Sequence, residues 1–157
     1  MHPSDTTHAE LIRPSADPVP RRWWKVVPVL SAAVVFVVLV PALEINASHL
    51  VNPDWPAHAR LHEAWQLLTN AALCITASWL AVIGRERLGA GLALLVVVPL
   101  LSAYALRGLY GGSIERTGGE DSVFSSGGAP VVVMLILAAS LIAVLGVREP
   151  RNAINHA

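Results

Sequence analysis

The sequence has few of the residues on which soluble and secreted proteins usually depend. Charged residues make up only 14% of the 157 residues and balance to a formal net charge of +0, and the single cysteine is Cys74. The zero balance argues against nucleic-acid binding, which requires a concentrated basic face. One cysteine excludes an intramolecular disulfide. We therefore interpret Cys74 as a small apolar packing residue.

Motifs of the common enzyme classes are also missing from the chain. It contains no Walker loop, no glycine-rich dinucleotide fingerprint, no nucleophile elbow and no internal repeat. Each of these motifs binds phosphate, holds a nucleophile or builds a solenoid, so those classes lose support. We predict no bound cofactor.

Long apolar runs, by contrast, dominate the sequence, in which 54% of the residues are hydrophobic. About 20 helical residues cross a hydrocarbon core about 30 Å thick, and a lipid-facing backbone must satisfy its own hydrogen bonds. The sequence therefore predicts an all-α protein, a four-helix transmembrane bundle in a lipid bilayer. The four runs extend from Val26 to Leu43, from Ala64 to Gly84, from Leu88 to Leu106 and from about Ala129 to Val147.

These runs divide the chain into three segments. Residues 1-22 are polar and rich in proline, which predicts a disordered tail. Residues 23-148 form the transmembrane domain, with helices at about 24-44, 57-84, 88-107 and 129-147, and residues 149-157 form a short second tail. We expect the first run to remain as a helix, because it is longer than the apolar part of a cleaved signal peptide.

The positions of basic residues predict how the bundle is oriented, because arginine and lysine near helix ends stay in the cytoplasm. Eight such residues lie on the side of the two termini, and three lie on the other side. The eight are Arg13, Arg21, Arg22, Lys25, Arg85, Arg87, Arg148 and Arg151, and the three are Arg60, Arg107 and Arg116. We predict that both termini are cytoplasmic and that the 44-62 loop is extracytoplasmic. The protein is expected in a bacterial plasma membrane.

The stretch "NPDWPAHARLHEAWQ", residues 52 to 66, begins the second helix and carries most of the candidate chemistry. At 100° per residue, five polar side chains share one face of that helix, and Glu63 and Asn70 flank it. Polar side chains at membrane depth usually mark a cavity or a ligand site, so we expect this polar face to point into the bundle. The five side chains are His58, His62, Gln66, Thr69 and Thr76.

The same stretch resembles the signature of a family of small four-helix integral membrane proteins that is catalogued as a domain of unknown function. Its motif, Asn-Pro-x-Trp-Pro-x-His-Ala-Arg-x-His, is matched from Asn52 to His62, and His49 before it matches as well. The resemblance implies the architecture and the place of the site, and no activity. A looser analogy of fold and chemistry links the chain to emopamil-binding sterol isomerases and to membrane terpene cyclases.

Our first functional hypothesis is a membrane-embedded acid/base isomerase or cyclase that acts on a lipophilic small molecule. Imidazole titrates near neutral pH, and a carboxyl group in a poorly hydrated pocket retains its proton more readily, so both donor and acceptor are available. The candidate catalytic residues are His58, His62, Glu63 and Glu44. The candidate substrate-binding residues are Trp55, Trp65, Gln66, Asn70, Tyr104 and Arg107.

A metal site is the second hypothesis, since His58 and His62 are four residues apart and project from one helical face. His49, Glu44 or Glu63 would supply the third ligand, and a site of His49, His58 and His62 is the simplest form. The third hypothesis is a noncatalytic role, either as a carrier of a lipophilic ligand or as an accessory subunit. The small residues of "LGAGLALL" are typical of helix association, with a second copy or with another membrane protein.

Several of these features also have purely structural interpretations. Arg60 and Glu63 could simply pair on the helix surface, and Gln66, Thr69 and Asn70 could form hydrogen bonds between helices. The connection from residue 107 to residue 128 is either a solvated linker or a lid over the site.

Overall fold

The computed structural model describes residues 23–47, 49–112 and 128–147 of the chain. Within these ranges the regular elements are helices, four of which are long and apolar enough to cross a membrane. We number them α1 (Trp23–Glu44), α2 (Ala57–Val82), α3 (Glu86–Leu106) and α4 (Ala129–Gly146). The predicted all-α four-helix bundle is confirmed. The predicted tails at 1-22 and 149-157, and most of the 107-128 connection, lie outside the described residues.

Helices α1 and α3 form the centre of the bundle. Each packs against the other three helices, and α2 and α4 flank this central pair. Because successive helices run in opposite directions, the 45–56 loop and the end of α3 lie at one end of the bundle. We call this end the loop end. The turn between α2 and α3 lies at the opposite end.

The core between α2 and α3 is built from small side chains. Cys74, Ala77 and Ala81 of α2 are fully buried, and they pack in the same core cluster as alanines of α3. A Cβ atom at Gly89 would lie 2.5 Å from the carbonyl oxygen of Ala77, so only glycine permits this approach of the two backbones. The interpretation of Cys74 as a packing residue is confirmed.

A tight turn joins α2 to α3. Gly84 has φ +85°, a conformation that L side chains rarely adopt. The N–H of Gly84 donates to the carbonyl of Ala81 and the N–H of Arg85 donates to that of Leu80. This pair of bonds is the Schellman arrangement, which satisfies the last carbonyl groups of a helix. The turn holds the two helices antiparallel and adjacent.

Helix α1 changes its winding near its middle. It is α-helical over Trp23–Ala33, π-helical over Val34–Leu39 and α-helical again over Val40–Glu44. Pro41 follows the π segment, and proline has no N–H to donate and its ring clashes with the carbonyl four residues earlier. The wider π turn, in which the Val40 N–H donates to Val35, accommodates this defect.

In α3, Pro99 lies within the helix. Proline interrupts the backbone hydrogen bonds of a helix, so we predict a kink at this position.

Candidate functional site

The loop before α2 positions the chain for the start of that helix. The backbone N–H of Asp54 donates to the side-chain oxygen of Asn52 over 2.9 Å, which forms a local turn. Helix α2 then begins at Ala57, with Pro56 at the N-cap position and no side-chain cap. Asn52 therefore stabilises the turn ahead of the helix rather than capping its first N–H groups.

The polar face of α2 points outward. All five of its side chains are exposed, so the expectation that this face lines the bundle interior is wrong. Thr76 donates its hydroxyl proton back to the carbonyl of Ala72 over 2.8 Å and needs no partner from another helix. The periodicity correctly grouped these residues, but it could not show which way the group faces.

The inward side of α2 is the neighbouring seam, in which residues three or four apart turn toward α1 and α3. Leu67, Cys74, Ala77 and Ala81 are its buried members. Glu63 and Asn70 occupy the same spacing and are half-buried. Of the polar residues predicted for the site, these two on α2 therefore lie on the packed side of the helix.

Glu63 belongs to a cluster that includes residues from the loop. Its carboxyl group lies close enough to Glu44 and His49 to interact electrostatically with both. The Nε2 atom of His49 lies 3.5 Å from a carboxylate oxygen of Glu44, and their side chains are only 22% and 27% exposed. We call Glu44, His49 and Glu63 the loop-end cluster. It joins the last turn of α1, the loop and the second turn of α2.

The loop itself is folded back over Glu44. The N–H of Leu50 donates to the carbonyl of Glu44 over 3.1 Å, and the N–H of Val51 donates to that of Asn46 over 3.1 Å. The ring of Trp55 meets that of His49 edge-on at 5.6 Å between centroids. These contacts fix the imidazole against the end of α1, so His49 is a site residue that helical periodicity could not have found.

The remaining predicted residues lie in other surroundings. His58 and His62 contact each other through their Nε2 atoms at 3.0 Å, and Trp65 is 65% exposed with its ring 6.0 Å from that of His62. At the end of α3, the Arg107 guanidinium lies 4.1 Å from the centre of the Tyr104 ring. Arg107 also donates to the carbonyl of Tyr104 over 2.9 Å. Arg107 is thus partnered within its own turn.

His49 contacts Glu44 and Trp55, whereas His58 and His62 contact each other. Among the residues that the structure describes, no group of three or more histidine, cysteine, aspartate or glutamate side chains is arranged to hold a metal ion. The three-histidine metal site proposed from the sequence is therefore not assembled in this part of the chain.

An apolar groove of about 290 Å³ runs along the interface of α1 and α2. Its α1 wall consists of residues in and beside the π segment, and its α2 wall includes Ser78, whose hydroxyl donates to the carbonyl of Cys74 over 2.8 Å. The groove is open at the surface of the bundle rather than enclosed. Its lining residues are Ala33, Val34, Val37, Val38, Ile75 and Ser78.

No family model, curated protein or solved structure matches the chain. The resemblance of the motif from Asn52 to His62 to the small four-helix family stays a prediction.

Proposed function

We propose that the chain is a membrane-embedded acid/base enzyme, an isomerase or cyclase, whose substrate is a lipophilic small molecule that enters from the bilayer. The observation that carries the proposal is the loop-end cluster, which combines two carboxyl groups and one imidazole at the end of the α1–α2 interface. The apolar groove farther along the same interface, at Ile75 and Ser78 of α2, supports a lipophilic substrate. Carboxyl and imidazole groups are common proton donors and acceptors.

In the proposed isomerisation, Glu63 in its protonated form donates a proton to one carbon of a C=C bond, which forms a C–H bond and a carbocation. The pair of Glu44 and His49 removes a proton from a carbon next to the cation, and the electrons of that C–H bond form the new C=C bond. His49 then returns a proton to Glu63, so no proton is consumed. In a cyclisation, a second C=C bond attacks the cation before the proton is lost.

The assignment of roles follows burial. Glu63 is the donor because it lies on the packed seam of α2, where a neutral carboxyl group is favoured over a charged one. Asn70 lies two turns farther along the same seam and is proposed to bind an oxygen of the substrate, while Trp55 closes the side of the site behind His49. Tyr104 and Arg107 keep their predicted substrate-binding role as part of the proposal. His58 and His62 lose the catalytic role, since they face outward.

The proposed setting is the plasma membrane of a bacterium, with the loop end on the extracytoplasmic side. The basic residues Lys25, Arg85 and Arg87 all lie at the opposite end of the bundle, which supports this orientation.

A noncatalytic carrier of a lipophilic molecule is the second candidate. The observation that favours it is the groove, whose lining side chains are apolar apart from Ser78, and the Ser78 hydroxyl already has a partner. A ligand held there would be bound by apolar contact alone.

The first prediction separates the enzyme from the carrier. Membranes are prepared from cells that produce the chain or its Glu63→Gln variant, and the lipophilic molecules that purify with each protein are identified by mass spectrometry. Loss of the proton donor should abolish conversion, so the variant should retain a substrate that the unchanged protein replaces by an isomer of the same mass. Glu86→Gln, at the opposite end of the bundle, is the matched control and should behave as the unchanged protein does.

Three outcomes decide between the proposals. An isomer pair that differs between the unchanged protein and Glu63→Gln supports the enzyme. One identical molecule retained by all three proteins supports the carrier and contradicts the enzyme. The same bulk lipids in all three samples contradict both.

A further inference from the structure

The outward-facing histidines of α2 form a pair that the proposed function does not use. Their Nε2 atoms are 3.0 Å apart, and the two ring planes stand at 87° with centroids 4.4 Å apart. Two rings that met head-on through these atoms would have centroids farther apart than this. The separation is that of a hydrogen bond in which one Nε2–H group donates to the other Nε2 atom, so the two nitrogen atoms already lie side by side.

Two imidazole nitrogens this close on one helical face could both bind one metal ion once the shared proton is displaced. A metal ion bound to both at the usual distance of about 2.0–2.1 Å would make an N–metal–N angle of about 94°, given the 3.0 Å separation. Adjacent ligands of a square-planar or tetragonal ion subtend nearly this angle, whereas a tetrahedral zinc ion requires about 109°. A change of about 0.3 Å in the separation would already give the tetrahedral angle, so the separation suits a chelated ion without selecting among these metals.

The surroundings of the pair also suit an ion that arrives from water. Both side chains are exposed, and they lie in the first two turns of α2, at the loop end of the bundle. The spacing of four residues on a regular helix holds the two rings in place before an ion binds, which reduces the entropy lost on binding. Coordination by only two protein ligands leaves the other positions for water.

We propose that His58 and His62 form a surface site for a borderline divalent cation, with Cu²⁺ as the preferred ion and Ni²⁺ as the next. The site is separate from the loop-end cluster, and it does not depend on the proposed acid/base function. The preference follows the general affinity order of divalent metals, in which Cu²⁺ lies above Ni²⁺ and Zn²⁺.

The binding of Cu²⁺ and of Ni²⁺ to the detergent-purified full chain is measured by calorimetric titration. His2, His8 and His156 are replaced by alanine in every sample, because these sequence-terminal imidazoles would bind the same ions. The parent should bind one Cu²⁺, and electron paramagnetic resonance should show two equivalent imidazole nitrogens. His58→Ala and His62→Ala should each weaken binding by about a hundredfold or more, because the second ligand acts at high effective concentration.

His49→Ala is the matched control, since it removes an imidazole at the same end of the bundle and should leave the Cu²⁺ affinity unchanged. Trp65 gives a second readout, because its ring is 6.0 Å from that of His62 and bound Cu²⁺ should quench its fluorescence. The Trp65→Phe variant should lose most of the fluorescence quenching and should still bind Cu²⁺. Equal Cu²⁺ affinity in the parent and in both single histidine variants, or an equal loss in His49→Ala, would overturn the proposal.

Discussion

At the scale of single residues, the absence of a Cβ atom at Gly89 sets the distance between α2 and α3. Gly89 lies beneath the carbonyl of Ala77, and its missing side chain allows the two backbones to touch. Gly91, two residues farther along α3, has no atom within 4 Å of the place where a Cβ would be. The same residue type therefore has a structural role at one position and none at the other.

We expect Gly89→Ala to destabilise the bundle by about 1–3 kcal/mol, the usual range for an overpacked core. Gly91→Ala is the control and should change the stability little. Cys74 provides the measurement, because it is the only cysteine in the chain and is fully buried, so a thiol reagent reaches it only when the helices separate. The temperature at which Cys74 becomes reactive should fall for Gly89→Ala. Equal temperatures for the two variants would show that α2 can move aside without loss.

At the scale of the element, α2 carries polar side chains on both its packed and its outward face, so polarity alone does not identify the packed face. The seam turned to the bundle is mostly small and apolar, and Glu63 and Asn70 lie on it, whereas Gln66 and Thr69 face outward. Lipid is as apolar as a protein core, so the polarity of a membrane helix indicates its inward face less strongly than its small residues do.

This explains what the sequence could and could not predict. The four helices follow from apolar length, because a backbone in lipid has no alternative to a helix. The orientation of α2 could have been inferred from Cys74, Ala77 and Ala81, small residues at spacings of three and four that suit a close helix contact. His49 could not have been placed, because it lies in a loop whose path depends on hydrogen bonds to the end of α1. The residue in the sequence that could have indicated the π segment is Pro41, which follows it.

The orientation of α2 can be tested with leucine substitutions on its two sides. We expect Gln66→Leu to leave stability unchanged or to raise it, since the side chain faces outward, where an apolar residue is favoured. Asn70→Leu should destabilise the bundle by about 1–3 kcal/mol, because a branched side chain must fit the half-buried seam. Thermal aggregation in detergent, monitored for both variants, provides the comparison. A greater loss for Gln66→Leu than for Asn70→Leu would place the polar face inside.

At the scale of the whole molecule, the alternating direction of the four described spans puts the turn between α2 and α3 opposite the loop end. Trp23 and Trp24 are 59% and 48% exposed at the start of α1, and Tyr110 is 63% exposed after α3. Exposed aromatic side chains at the two ends of a bundle are typical of the two membrane interfaces. The bundle is therefore bounded by aromatic residues at both ends.

The predicted direction of insertion can be measured with fused reporters. An alkaline phosphatase inserted after Asp54 should be active, and one inserted at Gly84 should be inactive, because that enzyme folds only outside the cytoplasm, where its disulfides form. A green fluorescent protein at the same two positions is the control and should give the opposite pattern. Phosphatase activity at Gly84 and none at Asp54 would reverse the orientation and put the loop-end cluster in the cytoplasm.

Because of the π segment, the number of residues in α1 matters independently of which residues they are. Before the segment, Val26, Val29 and Ala32 are fully buried in the core, and after it Glu44 lies near enough to Glu63 of α2 to interact with it electrostatically. One residue advances a helix by about 100°, so the additional residue of a π turn sets the angular phase between these two halves. Exchange of one apolar side chain for another within Val34–Leu39 preserves that phase. Loss or gain of a single residue would instead rotate Glu44 away from His49 and Glu63, although the hydropathy of the span would be almost unchanged.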